Sequence, residues 1–167
     1  SRKKDSKIDI YIIYLLYTSG STGLPKGAIL KHNGVSNLLY WYTTTYEMTE
    51  KDRMLIMSSF SFDLTHKNIL GALISGGQVH LLSSFNYDIL EINHTITNSL
   101  ITLLNCPPSA FYALIEEASD IHNLKSLRYV FLGGEPIVAS RLKKITENHL
   151  NCRIVNTYGP TECSDIT

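Results

Sequence analysis

The stretch Tyr17-Thr18-Ser19-Gly20-Ser21-Thr22-Gly23-Leu24-Pro25-Lys26-Gly27 places four serine and threonine hydroxyls, three glycines and a lysine within eleven residues, directly after an apolar run. Glycines let a turn bring backbone N–H groups close to a ligand, hydroxyls add donors and the lysine adds positive charge, a combination suited to a polyphosphate such as ATP. The residues after the loop decide the architecture. A Walker loop, G-x-x-x-x-G-K-[ST], sets its lysine directly after a glycine and runs into a helix. Here Lys26 follows Pro25, and Gly27 opens the apolar run Ala28-Ile29-Leu30. Pro25 lacks an N–H and holds Leu24 extended, which disfavours a helix at that point. The stretch reads as strand, loop, strand; a plain Ser/Gly turn is the alternative.

Outward from the loop, β-rich apolar runs alternate with helical patterns. Strands are expected over Tyr11–Tyr17, Ala28–Lys31, Arg53–Ser58, Gln78–Leu82, Ile101–Leu104, Leu127–Leu132 and Arg153–Asn156. Helices are expected near Asn33–Tyr46, Thr65–Ile74, Tyr87–Asn98, Pro108–Ala118 and Pro136–Leu150. The last has the clearest signals: Pro136 suits a first helical turn, Glu135 suits its positive end, and Ile137, Val138, Leu142 and Ile145 share one face. Strands separated by helices predict an α/β fold, a layered and largely parallel sheet flanked by helices. In such sheets the functional loops leave the carboxyl ends of the strands. Four are rich in polar or turn residues: Phe60-Ser61-Phe62-Asp63, Asn105-Cys106-Pro107-Pro108, Gly133-Gly134-Glu135 and Thr157-Tyr158-Gly159-Pro160-Thr161-Glu162.

The bulk properties narrow the partners. The 167 residues suit one domain, and 15 Lys plus Arg balance 15 Asp plus Glu for a net charge of zero. No basic field points to nucleic acid, so small-molecule chemistry or protein contact is expected. Cys106, Cys152 and Cys163 form no C-x-x-C pair, which fits neither a zinc site nor a redox pair and favours a reducing compartment. Arg2-Lys3-Lys4 before an apolar stretch imitates a signal peptide, but Asp5, Asp9 and three tyrosines interrupt it, and it is too short to span a bilayer. A cytoplasmic protein with no membrane partner is expected. The chain ends at Thr167 just after a Gly-Pro turn, which reads as a piece of something longer.

Asn156-Thr157-Tyr158-Gly159-Pro160-Thr161-Glu162 adds an aromatic ring, a tight turn, a hydroxyl and a carboxylate within seven residues. The ring can stack on a base, the hydroxyl can reach a phosphate, and the carboxylate can hold Mg²⁺; alone, such a segment is often only a turn. Taken in order, the Tyr17–Gly27 loop, Phe62-Asp63 and Asn156–Glu162 resemble the adenylate-forming superfamily, and within it the adenylation domains of nonribosomal peptide synthetases. The resemblance runs over nearly the whole chain. It implies that residues 1–167 are a single partial domain, the middle portion of the N-terminal core, with the C-terminal subdomain absent.

By that resemblance the chain takes part in ATP-dependent activation of an amino acid to an aminoacyl-adenylate, for loading onto phosphopantetheine of a carrier domain beside a condensation domain. Thr18, Ser19, Gly20, Ser21, Thr22, Gly23 and Lys26 would hold the β- and γ-phosphates. Tyr158 would stack on adenine and Asn156 would bond its exocyclic amine, with Gly133, Gly134 and Glu135 lining the nucleotide cleft. Thr161 would contact the α-phosphate and Glu162 would bind Mg²⁺. Lys26, Thr161 and Glu162 are thus the expected catalytic residues.

Asp63 is expected to pair with the substrate α-ammonium, which fits an amino acid and disfavours a fatty or aryl acid; an N-cap is its bland alternative. The same alignment sets Leu64, Lys67, Asn105, Phe131, Gly133, Thr157, Asp165 and Ile166 beside the substrate side chain. Lys67 and Asp165 would be costly if both were desolvated and unpaired, so a polar amino acid is expected, with a solvated helix face the alternative for Lys67. His66 reads as solvent-facing or capping, because adenylation needs no general base. The family's ribose-binding aspartate and its late lysine have no counterpart in the chain, so the fragment alone is expected to be a poor catalyst. Two other readings stay open: an acyl- or aryl-CoA ligase of the same superfamily, and a non-catalytic nucleotide-binding remnant.

Overall fold

The computed structural model describes residues 11–18, 24–83, 87–118, 120–148 and 151–159. Ser19, Gly20, Ser21, Thr22, Gly23, Thr161, Glu162, Asp165 and Ile166 lie outside them. Strands β1 (Ile12–Thr18) and β2 (Lys26–Lys31) form an antiparallel hairpin in which Thr18 stands opposite Lys26 and Tyr17 opposite Gly27. The strand–loop–strand reading holds, and cross-strand pairing starts β2 at Lys26, two residues before the apolar run. Helix α1 (His32–Thr45) comes directly after it.

Five parallel strands make the main sheet, in the order β4 (Gln78–Leu81), β3 (Arg53–Ile56), β5 (Leu103–Cys106), β6 (Tyr129–Gly133), β7 (Arg153–Thr157). The crossovers carry α2 (Asp63–Ile74), α3 (Ile89–Asn98), α4 (Pro108–Glu117) and α5 (Lys143–Glu147). The chain moves from β3 outward to β4, then returns past β3 to β5 and continues to β7. Strand order therefore reverses between β3 and β5, which opens a crevice at the carboxyl ends of those strands. The layered, largely parallel α/β fold is the one expected. No described helix is long and apolar enough to cross a membrane.

The period of two along each strand divides the core between the faces. Leu55, Leu104, Cys106, Val130 and Leu132 point toward Ile92 and Ile96 of α3 and Phe111 and Leu114 of α4. Met54, Ile56, Leu103, Tyr129 and Phe131 point toward Tyr42 of α1 and Ala72 of α2. On that second face Phe131 sits 5.4 Å from Tyr42 and 4.7 Å from Tyr46, centroid to centroid, in tilted and edge-on geometry. Gly71 makes this packing possible, since a Cβ there would lie 2.8 Å from the Tyr42 ring. At the other end of the sheet, Asp52 (1% exposed) accepts from Arg128 at 2.6 Å, Thr102 Oγ1 at 2.8 Å and the Thr49 N–H at 2.9 Å. That carboxylate joins the α1–β3 turn to the entries of β5 and β6.

The helix expected over Pro136–Leu150 does not form as one element. Val138 is extended (φ −99°, ψ 96°), a 3-10 turn covers Ala139–Leu142, and α5 begins only at Lys143. Two captures explain this. The Val138 N–H donates to Tyr112 Oη at 2.6 Å. The Glu135 carboxylate accepts from the N–H and hydroxyl of Ser109, both at 3.0 Å, so it caps α4 instead of its own segment. Glu135 does meet the positive end of a helix, but that of a neighbour.

Candidate active site at the strand-order reversal

The turn after β3 is built by the first residues of α2. The Thr65 hydroxyl donates to the Ser59 carbonyl at 2.8 Å, so the Ser58 hydroxyl, 2.6 Å away, must donate to Thr65 Oγ1. The Phe62 N–H closes the turn on the Ser59 carbonyl at 3.1 Å. Beyond β5, Pro107 is extended and Pro108 opens α4, where its missing N–H costs nothing. Beyond β6, Gly134 has φ +82°, a left-handed conformation that glycine adopts without strain. A Cβ on Gly133 would stand 2.6 Å from Thr157 Oγ1, so only glycine lets β6 and β7 approach this closely at their ends.

Together these ends enclose a cavity of about 800 Å³. Of the residues expected beside a substrate, Asp63, Leu64, Asn105, Gly133 and Thr157 line it; of those expected beside a nucleotide, Gly133, Gly134 and Tyr158 do. The Tyr158 ring is 78% exposed, so one face is open to stacking. Lys26 stands exposed at the start of β2, and Thr18 ends β1. Lys67, Phe131, Glu135 and Asn156 do not line the cavity. Phe131 is fully buried in the aromatic core, Glu135 is engaged with Ser109, and Asn156 is exposed on β7. Lys67 is no solvated helix residue: it is 2% exposed, with Nζ 5.1 Å from the centroid of the Tyr42 ring. Beside it Asn68 Oδ1 accepts from Tyr42 Oη at 3.3 Å and from Asn105 Nδ2 at 3.4 Å, which orients the Asn105 amide at the cavity wall.

Asp63 is the first residue of α2 and not its N-cap, a place taken by Phe62, which makes no side-chain cap. It is 8% exposed. Oδ1 accepts the Leu64 N–H at 2.7 Å, whereas Oδ2 is buried with no hydrogen-bond partner among the described residues. A carboxylate oxygen desolvated in this way is costly unless something supplies a donor. A cationic group of a ligand in the cavity would do so.

Several lining residues were not foreseen. Leu81, Leu82 and Tyr87 bring a fifth strand end, that of the edge strand β4, to the cavity. The rule that selected the other four loops applies equally to β4, and Ser83-Ser84-Phe85-Asn86-Tyr87-Asp88 after it is as polar as the others. Burial raises the pKa of the Tyr87 hydroxyl, and Cys106 adds to the shift. Burial, and secondarily Glu135, pushes the Cys106 thiol up to about 12. Cys106 is 3% exposed and free.

Residues 6–167 match the family model described as AMP-binding enzyme. Surfactin synthase subunit 2 of Bacillus subtilis (strain 168) is 33% identical over 156 residues, which are 92% of this chain and 4% of that protein. Malpinin synthetase of Mortierella alpina is 37% identical over 158 residues, 91% of this chain and 2% of that protein. Among solved structures, the α-methyl-L-serine-AMP bound form of the nonribosomal peptide synthetase FmoA3 superposes with TM-score 0.85 at 26% identity, covering 93% of this chain and 18% of that one. PA1221, a nonribosomal peptide synthetase protein containing adenylation and PCP domains, superposes with TM-score 0.80 at 29% identity, covering 93% of this chain and 31% of that one. The chain thus spans a small part of each relative. With its parallel sheet, its reversal-point cavity and a match from residue 6 to the last residue, the chain belongs to the AMP-binding enzyme family.

Proposed function

We propose that the chain forms the amino-acid-binding part of an adenylation domain, which joins the carboxylate of a polar amino acid to AMP at the expense of ATP. One observation carries the reading: Asp63 lines the cavity, and its buried Oδ2 has no hydrogen-bond partner among the described residues. A substrate α-ammonium would complete its hydrogen bonding and exchange a desolvation cost for a charge-assisted bond. An acid without an amine would leave that oxygen unsatisfied, which argues against the acyl- and aryl-CoA ligase reading. The aminoacyl-AMP held by FmoA3 and the PCP domain beside the adenylation domain of PA1221 are in keeping with this assignment.

In the proposed reaction a carboxylate oxygen of the amino acid attacks the α-phosphorus of ATP. The new P–O bond forms as the bond to the β-phosphate bridging oxygen breaks, and pyrophosphate leaves with that electron pair. No proton has to move, so positioning and charge neutralisation supply the acceleration. Asp63 would fix the amine; the polar-substrate reading rests on Asn105 and Thr157, in a wall that also carries Phe60, Leu64, Leu81 and Tyr87. The fit to a nucleotide rests on the Gly133–Gly134 cradle and the open face of Tyr158. Lys26 and the hairpin loop would neutralise the departing pyrophosphate. Thr161 would contact the α-phosphate and Glu162 would hold Mg²⁺, which supplies further neutralisation; both residues lie outside those described. The aminoacyl group would then pass to phosphopantetheine on a carrier domain of the same assembly line and be used by its condensation domain, in the cytoplasm. The 167 residues alone would catalyse poorly.

ATP–pyrophosphate exchange by the full-length protein across a panel of amino acids tests the proposal. Exchange with one or a few polar amino acids is expected. A preference for Leu or Phe would remove the polar-substrate assignment, and exchange with simple carboxylic acids in place of amino acids would overturn the reading.

A further inference from the structure

We infer that His66 is a positioning residue that fastens the β1–β2 hairpin to the turn that presents Asp63. It rests on the amino-acid-activation reading only for its kinetic consequence.

His66 lies in the early part of α2 and makes two directional contacts at once. Its ring stacks on Tyr14 of β1, with centroids 4.6 Å apart and planes at 20°. Its Nε2 is 3.0 Å from the Phe60 carbonyl. A carbonyl oxygen only accepts, so Nε2 carries the hydrogen and the tautomer is set by this contact. The neighbouring Thr65 grips Ser58 and Ser59 of the same turn, so two consecutive helix residues hold the segment that leads into Asp63. On the other side of the ring, Tyr14 is four residues before Thr18, where β1 gives way to the hydroxyl-rich loop.

Other contacts anchor the hairpin as well: the His32 N–H donates to the Tyr11 carbonyl at 2.9 Å where α1 begins, and apolar packing adds to it. Leu16 and Leu30 pack on Val35 and Leu39 of α1, with Leu70 of α2 at the margin. Such contacts hold a distance but are non-directional, so they tolerate tilt and slide. A stacked ring whose edge is also hydrogen-bonded does not. One imidazole thus references the hairpin and the Asp63 turn to each other. On the proposed reading these carry the groups that meet the leaving pyrophosphate and the amine of the incoming acid.

The test uses the full-length protein with His66→Leu, His66→Phe, Tyr14→Leu and the double variant Tyr14→Leu/His66→Leu. Backbone amide hydrogen exchange in His66→Leu should quicken about two- to tenfold across 12–18 and 26–31 and in the 58–62 turn. His66→Phe, which keeps a ring but loses the donor, should quicken the turn while sparing the hairpin. In pyrophosphate exchange, His66→Leu should raise KM for ATP and for the amino acid together by about the same factor, and the double variant should add little to either single one. Unchanged hairpin exchange in His66→Leu, or a fall in kcat with both KM values unmoved, overturns the inference. If His66→Leu does not fold, Tyr14→Leu makes the same test from the partner ring. If the unaltered protein activates no amino acid, the activation reading fails, while amide exchange still decides the role of His66.

Discussion

Replacing Asp63 by Asn should separate activity from stability. The substitution keeps an acceptor for the Leu64 N–H, now 2.7 Å from Oδ1, but removes the negative charge from a side chain that is 8% exposed. Two terms set the stability. The amide NH2 that replaces Oδ2 is no longer charged but finds no acceptor among the described residues either, so this exchange is worth at most about 1 kcal/mol. Losing an anion at the first residue of α2 forfeits about 0.3–1 kcal/mol of interaction with the helix dipole. The two terms nearly cancel, and the ligand-free Asn variant should lie within about 1 kcal/mol of the unaltered protein. Binding changes by more, because a buried ammonium left facing a neutral amide loses about 3–4 kcal/mol, roughly 10²- to 10³-fold in kcat/KM for the amino acid. Thermal unfolding of the ligand-free protein and amino-acid-dependent pyrophosphate exchange measure the two effects. An Asn variant that folds and keeps amino-acid-dependent exchange within about threefold of the unaltered protein would refute the role of Asp63 as the ammonium ligand.

Three further outcomes are expected from packing and charge. Gly71→Ala gains about 1 kcal/mol of helix propensity but drives a Cβ to 2.8 Å from the Tyr42 ring; overpacking of about 1–3 kcal/mol should prevail, seen as a lower Tm. Asp52→Ala strands the N–H of Thr49 and the Arg128 guanidinium; Arg128 is 38% exposed and can rehydrate, so a loss of about 2–3 kcal/mol is expected, short of a fully buried pair, by urea unfolding. Burial pushes the Cys106 and Cys152 thiols up to about 12. The thiolate is present above the pKa, so at about pH 8 iodoacetamide should label both about 10³-fold more slowly than an ordinary cysteine, and faster as pH rises, by mass spectrometry of the native protein.

What could be read from the chain without its structure was whatever depends on local pattern. The alternation Met54-Leu55-Ile56 and Tyr129-Val130-Phe131-Leu132 already states which face each residue takes, because a strand offers only two. Asp63 was recognisable from Phe62-Asp63, and Asn105, Gly133 and Thr157 from the ends of parallel strands. Misreadings arose where a distant group intervened. Pro136–Leu150 carries good helix signals, yet Tyr112 takes the Val138 N–H and Ser109 takes the Glu135 carboxylate. Lys67 is expected beside the substrate, or else on a solvated helix face, yet it lies buried against the Tyr42 ring and does not line the cavity, a place that only the packing of α1 on α2 creates. Leu81, Leu82 and Tyr87 reach the cavity because strand order sets β4 next to β3, an adjacency that no local pattern encodes.

The contact between Gly133 and Thr157 bears on how such a pocket can change over evolution. Any side chain at position 133 would meet the Thr157 hydroxyl at 2.6 Å and the Thr157 carbonyl at 2.9 Å, and so would push the outermost strand away before it narrowed the cavity. This wall is therefore closed to gradual retailoring for a smaller substrate. Change in the shape of the cavity would instead run through lining side chains away from this seam, Leu64 and Tyr87 among them.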